Sequence, residues 1–380
     1  MKEKDELRDI SLYIHIPFCK QKCFYCDFPS YASIDHLRED YVDALCKEIK
    51  ERNIKNNIKS IFIGGGTPSY LSAKEIEKLL NVIKELNLDK NIEFTMECNP
   101  GTLDEEKLIV MKNGGINRIS MGLQAVQNSL LKEIGRIHSF RIFEENFLLA
   151  RKVGFDNINV DLMFGLPNQK IEEWKESLET IIKLNPEHIS AYGLILEEGT
   201  AFYNLWERDK LILPSEDDER LMYQITKEFL NSNSYNQYEI SNYAKKGFEC
   251  YHNKIYWKCN EYIGLGSASS SFINEKRIKN IENVKLYIDN IKNNLSIIEE
   301  EHNNTLKDNM EEFMFMGFRM IEGIDIEEFK RRFNKSIEEV YEEVIDKNVN
   351  LNLLKKEKNF LRLTEQGIEL SNSVMSDFII

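Results

Sequence analysis

The sequence has no run of 18 uninterrupted apolar residues, and its start, MKEKDELRDI, lacks the apolar core of an export signal. A cytoplasmic protein is therefore expected. Positive charge is not in surplus either. The 64 acidic residues outnumber the 50 basic ones and leave a net charge of -14, which argues against a general nucleic-acid binder. No stretch reads as a local basic patch, and there is no low-complexity segment. Seven cysteines in a chain without an export signal are not expected to form a disulfide framework. What is present is an ordinary globular balance, 42% hydrophobic and 30% charged. At 380 residues the chain is long enough for one barrel-sized domain and an appendage.

Short apolar runs alternate with longer stretches of helical period from Ser11 to about residue 194. The runs SLYIHIPF, SIFIGGG, IEFTMECN, RISMGL, NINVDLMFG and HISAYGL are expected strands. Helices are expected between them, in REDYVDALCKEIKER, AKEIEKLLNVIKEL, DEEKLIVMKNGG, RIFEENFLLARKVG and IEEWKESLETIIKL, several of which stop at Gly or Asn-Pro. Six β-then-α units in series imply parallel strands joined by right-handed crossovers. Six is short of the eight that close a full barrel, so an open, partial (β/α)6 TIM-like barrel is expected, with a doubly wound sheet as the alternative.

The chain divides into residues 1–214, the barrel; 215–294, a less regular extension rich in Tyr, Asn and Ser; and 295–380, an acidic and helical C-terminal domain. In the last, EEFMFMGFRM, IDIEEFKRRF and SIEEVYEEVIDKN read as three short helices, and FLRLTEQGIELSN as the start of a small β wing. This small, mostly helical domain resembles a winged helix, but its acidity sets DNA binding aside.

Three cysteines crowd into HIPFCKQKCFYCDF, His15 to Phe28, as C-x3-C-x2-C; Cys46, Cys98, Cys250 and Cys259 are scattered. Clustered thiolates bind zinc or an iron-sulfur cluster. A zinc site usually pairs its cysteines and supplies four ligands, and no partner pair follows here. Cys19, Cys23 and Cys26 can hold three irons of a [4Fe-4S] cluster and leave the fourth open to a small molecule. A Cys3His zinc site using His15, or three buried cysteines with no ligand, are the alternatives on the residues alone.

Downstream, IFIGGGTPS places three glycines after the second strand, where backbone amides approach a ligand closely. It lacks the GK[ST] of a phosphate loop and is weak by itself. Glu97, Gln124 and Asp161 stand at C-terminal ends of expected strands, where β/α barrels place their sites. Each taken singly also reads as a cap, a turn former or a solvated strand end. Arg136, with its planar guanidinium, suits a carboxylate.

C-x3-C-x2-C after the first strand, with Tyr25 before the last cysteine, resembles the radical S-adenosylmethionine (SAM) superfamily. That resemblance implies that the open iron binds the amino and carboxylate groups of SAM. It also implies that the reduced cluster cleaves SAM to a 5'-deoxyadenosyl radical, chemistry that belongs to the cofactor. The glycine motif is similar to the one that faces the SAM amino group in that superfamily. The order of the motifs, with GLPNQ after the fifth strand and LNPEHIS entering the sixth, resembles the oxygen-independent coproporphyrinogen III oxidase branch. This implies that Tyr13, Gly65, Gly66, Thr67, Glu97, Gln124, Arg136 and Asp161 line the SAM sites, with Tyr25 beside the cluster.

The oxidases usually carry a further cysteine two positions after the third, and this chain has Phe28 there. The Cys26-Asp27-Phe28 ending resembles a sister family, the radical SAM haem chaperones. So does His252-Asn253-x-x-Tyr256-Trp257, the H-N-x-x-Y-W motif of that family. A neutral imidazole is a standard axial iron ligand and aromatic faces suit a porphyrin, so His252 is the expected haem ligand. Cys250 and Cys259 are alternative ligands, and a packed, hydrogen-bonded histidine is the bland reading. The segment GLGSASSSF offers only serines where the family often has a histidine.

Two functions follow. One is a haem chaperone that takes up haem and passes it to haem-dependent, respiratory enzymes at the membrane, with cluster and SAM supporting homodimerisation or transfer. The other is an enzyme that oxidatively decarboxylates two propionates of coproporphyrinogen III. Phe28 and His252 favour the first.

Overall fold

The computed structural model describes residues 8–379; most of the charged start, on which the expectation of no leader rests, lies outside them. Six strands run parallel in chain order: β1 (Asp9–Ile16), β2 (Asn57–Gly65), β3 (Leu88–Cys98), β4 (Arg118–Gln124), β5 (Ile158–Phe164) and β6 (His188–Gly193). Each overlaps an expected apolar run, with β1, β2 and β3 beginning earlier than the run, and the expected periodic stretches are helical; one short helix, Asn128–Glu133, falls outside them. The helix Phe140–Val153 stops at Gly154, with φ +101°, and Ile171–Leu184 stops at Asn185, with φ +54°, just before Pro186. Both turn the chain left-handed, a conformation glycine and asparagine tolerate best.

Alternation along these strands builds two different faces. Leu12, Ile14 and Ile16 of β1, Ile61 and Ile63 of β2, Phe94 and Met96 of β3 and Ile119 and Met121 of β4 are buried in the hydrophobic core that the helices cover. The intervening residues point the other way. Parallel register places Glu97 beside Ser120, Ser120 beside Asn159, and Asp161 beside Ser190, so polar side chains meet across the concave face.

The sheet continues at both ends. β7 (Asn236–Glu239) and β8 (Asn242–Ala244) form an antiparallel pair beyond β6. β9 (Tyr262–Leu265) lies parallel to β1 and is followed outward by β10 (Ser270–Ile273), β11 (Lys276–Asn280) and β12 (Ile298–Asn303). The stretch after residue 215 is thus more regular than its composition suggests, because strands of three to six residues are too short to display a period. The acidic stretch after Leu295 also opens as a strand rather than a helix: IEEEHN is exposed throughout and forms the charged edge of the sheet.

Three helices, Leu306–Gly317, Ile326–Phe333 and Ile337–Asn350, then pack with a small sheet of β13 (Ile324–Asp325), β14 (Leu354–Glu357) and β15 (Phe360–Leu363), in the order β13-β15-β14. Phe313, Phe329, Tyr341 and Phe378 centre a core of their own. Among the described residues no helix is long and apolar enough to cross a membrane.

Trp174, wholly buried, fastens the helix Glu216–Ser232 to the barrel by donating from Nε1 to Met222 O at 3.1 Å and Thr226 Oγ1 at 2.9 Å. Trp174→Ala is expected to cost about 3–5 kcal/mol of stability, read as a lowered urea midpoint. A midpoint within error of the parent would show that this helix is anchored elsewhere.

Candidate functional site

Beyond Ile16 the chain leaves the sheet in a loop carrying Cys19, Cys23 and Cys26. The β1–β2 ladder does not end there: Gly66 N donates to Ile16 O and Thr67 N to Phe18 O, both at 2.8 Å. Cys19 N donates to Tyr31 O at 3.0 Å, closing the loop on itself, and Gln21 Nε2 donates to Gly135 O at 3.0 Å. A Cβ at Gly66 would stand 2.8 Å from Phe18 O and 3.0 Å from Cys19 Sγ; one at Gly65, where φ is +111°, would stand 2.5 Å from the His15 ring. Both positions therefore require glycine. The three-glycine stretch serves as the bed on which the cysteine loop lies.

All seven thiols are free. Burial pushes the Cys19 and Cys26 thiols up, a shift that ligation to a cation reverses. Among the described residues no three His, Cys, Asp or Glu side chains converge on a single metal ion. His15 is also fully engaged, with Nδ1 2.9 Å from Tyr13 OH and Nε2 donating to Pro29 O at 2.8 Å. A Cys3His zinc site is thereby set aside, whereas a cluster takes each thiolate on a separate iron.

The three cysteines border a cavity of about 490 Å³ together with Tyr25, Gly65, Gly66, Thr67, Glu97, Gln124, Arg136 and Asp161. Tyr13 lies just outside it, in a second cavity of about 320 Å³ that shares Phe28, Gly65, Glu97, Ser120, Asp161 and Tyr192 with the first. All the expected SAM-site residues thus line one of two adjoining spaces. Glu97 Oε2 accepts from Gly65 N at 3.0 Å; burial, reinforced by Asp161, pushes its carboxyl up to about 8. Asp161 accepts from Asn159 Nδ2 at 2.7 Å and Ser120 Oγ at 3.2 Å, and burial raises its pKa as well. Gln124 turns its backbone left-handed, at φ +75°, where the β4–β5 register slips.

Arg136 donates from Nη1 to Asn99 Oδ1 at 2.8 Å, and Asn99 Nδ2 donates in turn to Thr67 Oγ1 at 2.9 Å. Arg136 Nε is buried with no hydrogen-bond partner. A Cβ at Gly122 would stand 2.8 Å from Arg136 Nη2, so glycine leaves room for the guanidinium. Three thiols, a guanidinium with donor capacity in reserve and nearby carboxyls fit a cluster with an amino acid bound to it.

Sequence reasoning missed Asn99, Gly122 and Arg118. Asn99 stands two places after Glu97 in ECNP, where the strand-end argument could have found it. Arg118 lines the second cavity, and nothing local in the sequence marks it; Asn253, read in the sequence only as part of the H-N-x-x-Y-W motif, lines it too.

His252 sits behind the wall of the second cavity: Phe62, on which it stacks, and its neighbour Asn253 line that space, but His252 itself does not. It is 1% exposed, with Nδ1 2.8 Å from Ser60 Oγ, Nε2 2.8 Å from Tyr256 OH, and its ring stacked on Phe62 at 5.3 Å. Burial holds its pKa down at about 3, so the ring is neutral. Glu93 accepts from Tyr251 N at 2.8 Å and His252 N at 2.9 Å, pinning the start of the helix Tyr251–Trp257 to β3. Neither imidazole nitrogen is free for iron, and haem ligation by His252 would require this packing to open. Cys250 is fully buried and Cys259 partly so, and burial pushes both thiols up to about 12, away from the thiolate.

Residues 13–181 match the radical SAM superfamily and residues 304–370 the HemN C-terminal domain. The chain is 39% identical to heme chaperone HemW of Lactococcus lactis, over 97% of each chain. It is 37% identical to heme chaperone HemW of Bacillus subtilis, over 97% of this chain and 99% of the other. Coproporphyrinogen III oxidase (HemN) from Escherichia coli has the same fold, with a TM-score of 0.86 over 98% of this chain and 90% of that one, at 21% identity.

Two outcomes test the geometry. Glu97 has a folded-state pKa of about 8 against an ordinary 4.5, so the folded chain holds the extra proton. Its contribution is full below about pH 4.5 and is lost as pH rises through about 8. In the cluster-free protein, Glu97→Gln should flatten the fall in urea midpoint across that window; an unchanged slope would mean the carboxyl ionises normally. His252→Ala should cost about 2–4 kcal/mol by removing a packed ring and two buried hydrogen bonds, with haem affinity of the folded protein unchanged. Lost haem affinity at unchanged stability would reinstate ligation by His252.

Proposed function

The chain belongs to the radical SAM haem chaperone family, and from that premise we propose that it binds haem and delivers it to haem-dependent enzymes. The observation that carries this reading is identity of 37–39% to heme chaperones along nearly the full chain. The fold is shared with an oxidase at 21% identity and does not discriminate between the two functions. Phe28 supports the same choice. It is 60% exposed and borders both cavities, at the position where the resemblance to the oxidases calls for cysteine.

Cys19, Cys23 and Cys26 would hold a [4Fe-4S] cluster by three of its irons, and Tyr13, Tyr25, Gly65, Gly66, Thr67, Glu97, Gln124, Arg136 and Asp161 would hold SAM. When bound, cluster and SAM supply one-electron chemistry. The chain's own contribution is positional. The glycine bed fixes the cysteine loop, Asn99 couples Arg136 to Thr67, and Arg136 keeps a free Nε for a carboxylate. Glu97, held near neutrality by burial, retains a proton at an atom that already accepts from Gly65 N.

The natural recipients are respiratory enzymes at the membrane, reached from the cytoplasm, and a homodimer is the working assembly. The seven free thiols suit a reducing compartment.

The test is an anaerobic assay of reconstituted protein with SAM, reductant and coproporphyrinogen III, alongside a haem titration. Haem binding without protoporphyrinogen formation is expected; multiple turnovers to protoporphyrinogen would overturn the chaperone reading. Cys19→Ser should lack iron-sulfur absorbance after reconstitution, and a normal spectrum would remove the cluster from this loop.

A further inference from the structure

Arg118 opens β4 at the floor of the second cavity. It is 2% exposed, its Nε has no hydrogen-bond partner, and among the described residues no carboxylate forms an ion pair with it. A guanidinium is costly to bury in that condition, because the charge has left water without a compensating partner. The acids that act on it are committed elsewhere. Glu93 accepts the backbone N–H groups of Tyr251 and His252, and Asp161 accepts from Asn159 and Ser120. Glu97 accepts from Gly65 N and is largely protonated at neutral pH. Arg136 differs, since one of its nitrogens is already tied to Asn99.

Four aromatic side chains share the walls of the same cavity with polar ones such as Ser120, Asn159 and Asp161: Tyr13 and Phe62 are inside, Tyr192 stands beside them, and Phe28 is 60% exposed. A cation at the buried end and flat apolar surface towards the open end describe a ligand that enters carboxylate first and keeps an apolar body behind it. At about 320 Å³ the space lies at the small end for a whole ligand and is sized for an arm of a larger one.

We infer that this cavity receives the carboxylate arm of a flat apolar ligand, with Arg118 as its anchor; resting on the haem reading, that arm is a porphyrin propionate. A planar guanidinium offers two parallel N–H donors to a carboxylate, a match no other side chain lining this cavity can make. The carboxylate of SAM offers the same chemistry, so the experiment must separate the two sources.

The experiment is an absorbance titration of the reconstituted protein with haemin and with haemin dimethyl ester, paired with a SAM-binding titration, on the parent, Arg118→Gln and Arg118→Lys. The parent is expected to bind the free acid about tenfold or more tightly than the ester, the effect of one charge-assisted hydrogen-bonded pair. Arg118→Gln should bind acid and ester alike with SAM affinity intact, and Arg118→Lys should recover part of the preference. A parent that binds acid and ester equally overturns the anchor while leaving haem binding in place. A parent that binds neither overturns the haem reading and the anchor with it. Weakened SAM binding with haemin unaffected in Arg118→Gln reassigns the guanidinium to SAM and overturns the propionate. Retained ester binding and iron-sulfur absorbance report that Arg118→Gln is folded; should it not fold, the acid-to-ester ratio of the parent decides alone.

Discussion

The candidate site depends on one backbone feature: the ladder between β1 and β2 runs on past the strands into their loops. Two hydrogen bonds, Gly66 N to Ile16 O and Thr67 N to Phe18 O, weld the glycine stretch to the cysteine loop. Neither bond could form if Gly65 or Gly66 carried a side chain, since a Cβ would strike His15 or the backbone at Phe18. The glycines are therefore structural before they are ligand-facing. From that fixed edge, parallel register sets the height of every other polar group across the concave face, strand by strand to Asp161 and Ser190.

A second constraint is charge in a buried place. The concave face holds Glu97, Asp161 and Arg136 half-buried and Arg118 fully buried, with Glu93 at its edge. Among the described residues none of them forms a direct ion pair. Instead, backbone N–H groups, amides and hydroxyls carry the carboxylates, and the two guanidinium groups keep donor capacity in reserve. A face arranged this way is polar enough to receive charged ligands and enclosed enough to strengthen each contact with them.

The fold does not divide chaperone from oxidase, because both need the same cluster seat and the same SAM chamber. Where the resemblance to the oxidases calls for a thiol, Phe28 adds exposed apolar surface beside the cysteines. The H-N-x-x-Y-W segment, by contrast, faces two ways. His252 is sealed against Phe62 and Ser60, Asn253 looks into the second cavity, and Trp257 packs beneath Arg319 towards the C-terminal domain.

The sequence by itself determined the six β/α units, their helix stops and the cysteine spacing, because these are local signals of period, turn chemistry and ligand count. It also named Glu97, Gln124 and Asp161, since a polar residue in an apolar strand is visible without any neighbour, and Arg136 by its guanidinium alone. It could not show the short strands that extend the sheet, each too brief to display a period. Nor could it show that His252 has both nitrogens engaged while Arg118 is left unpaired. Those facts belong to pairs such as Ser60 with His252, 192 residues apart, and to Glu93, whose hydrogen bonds go to a helix start rather than to Arg118. Partnership across such distances is set by register and packing, so only the tertiary structure decided which buried group is satisfied and which still has a bond to give.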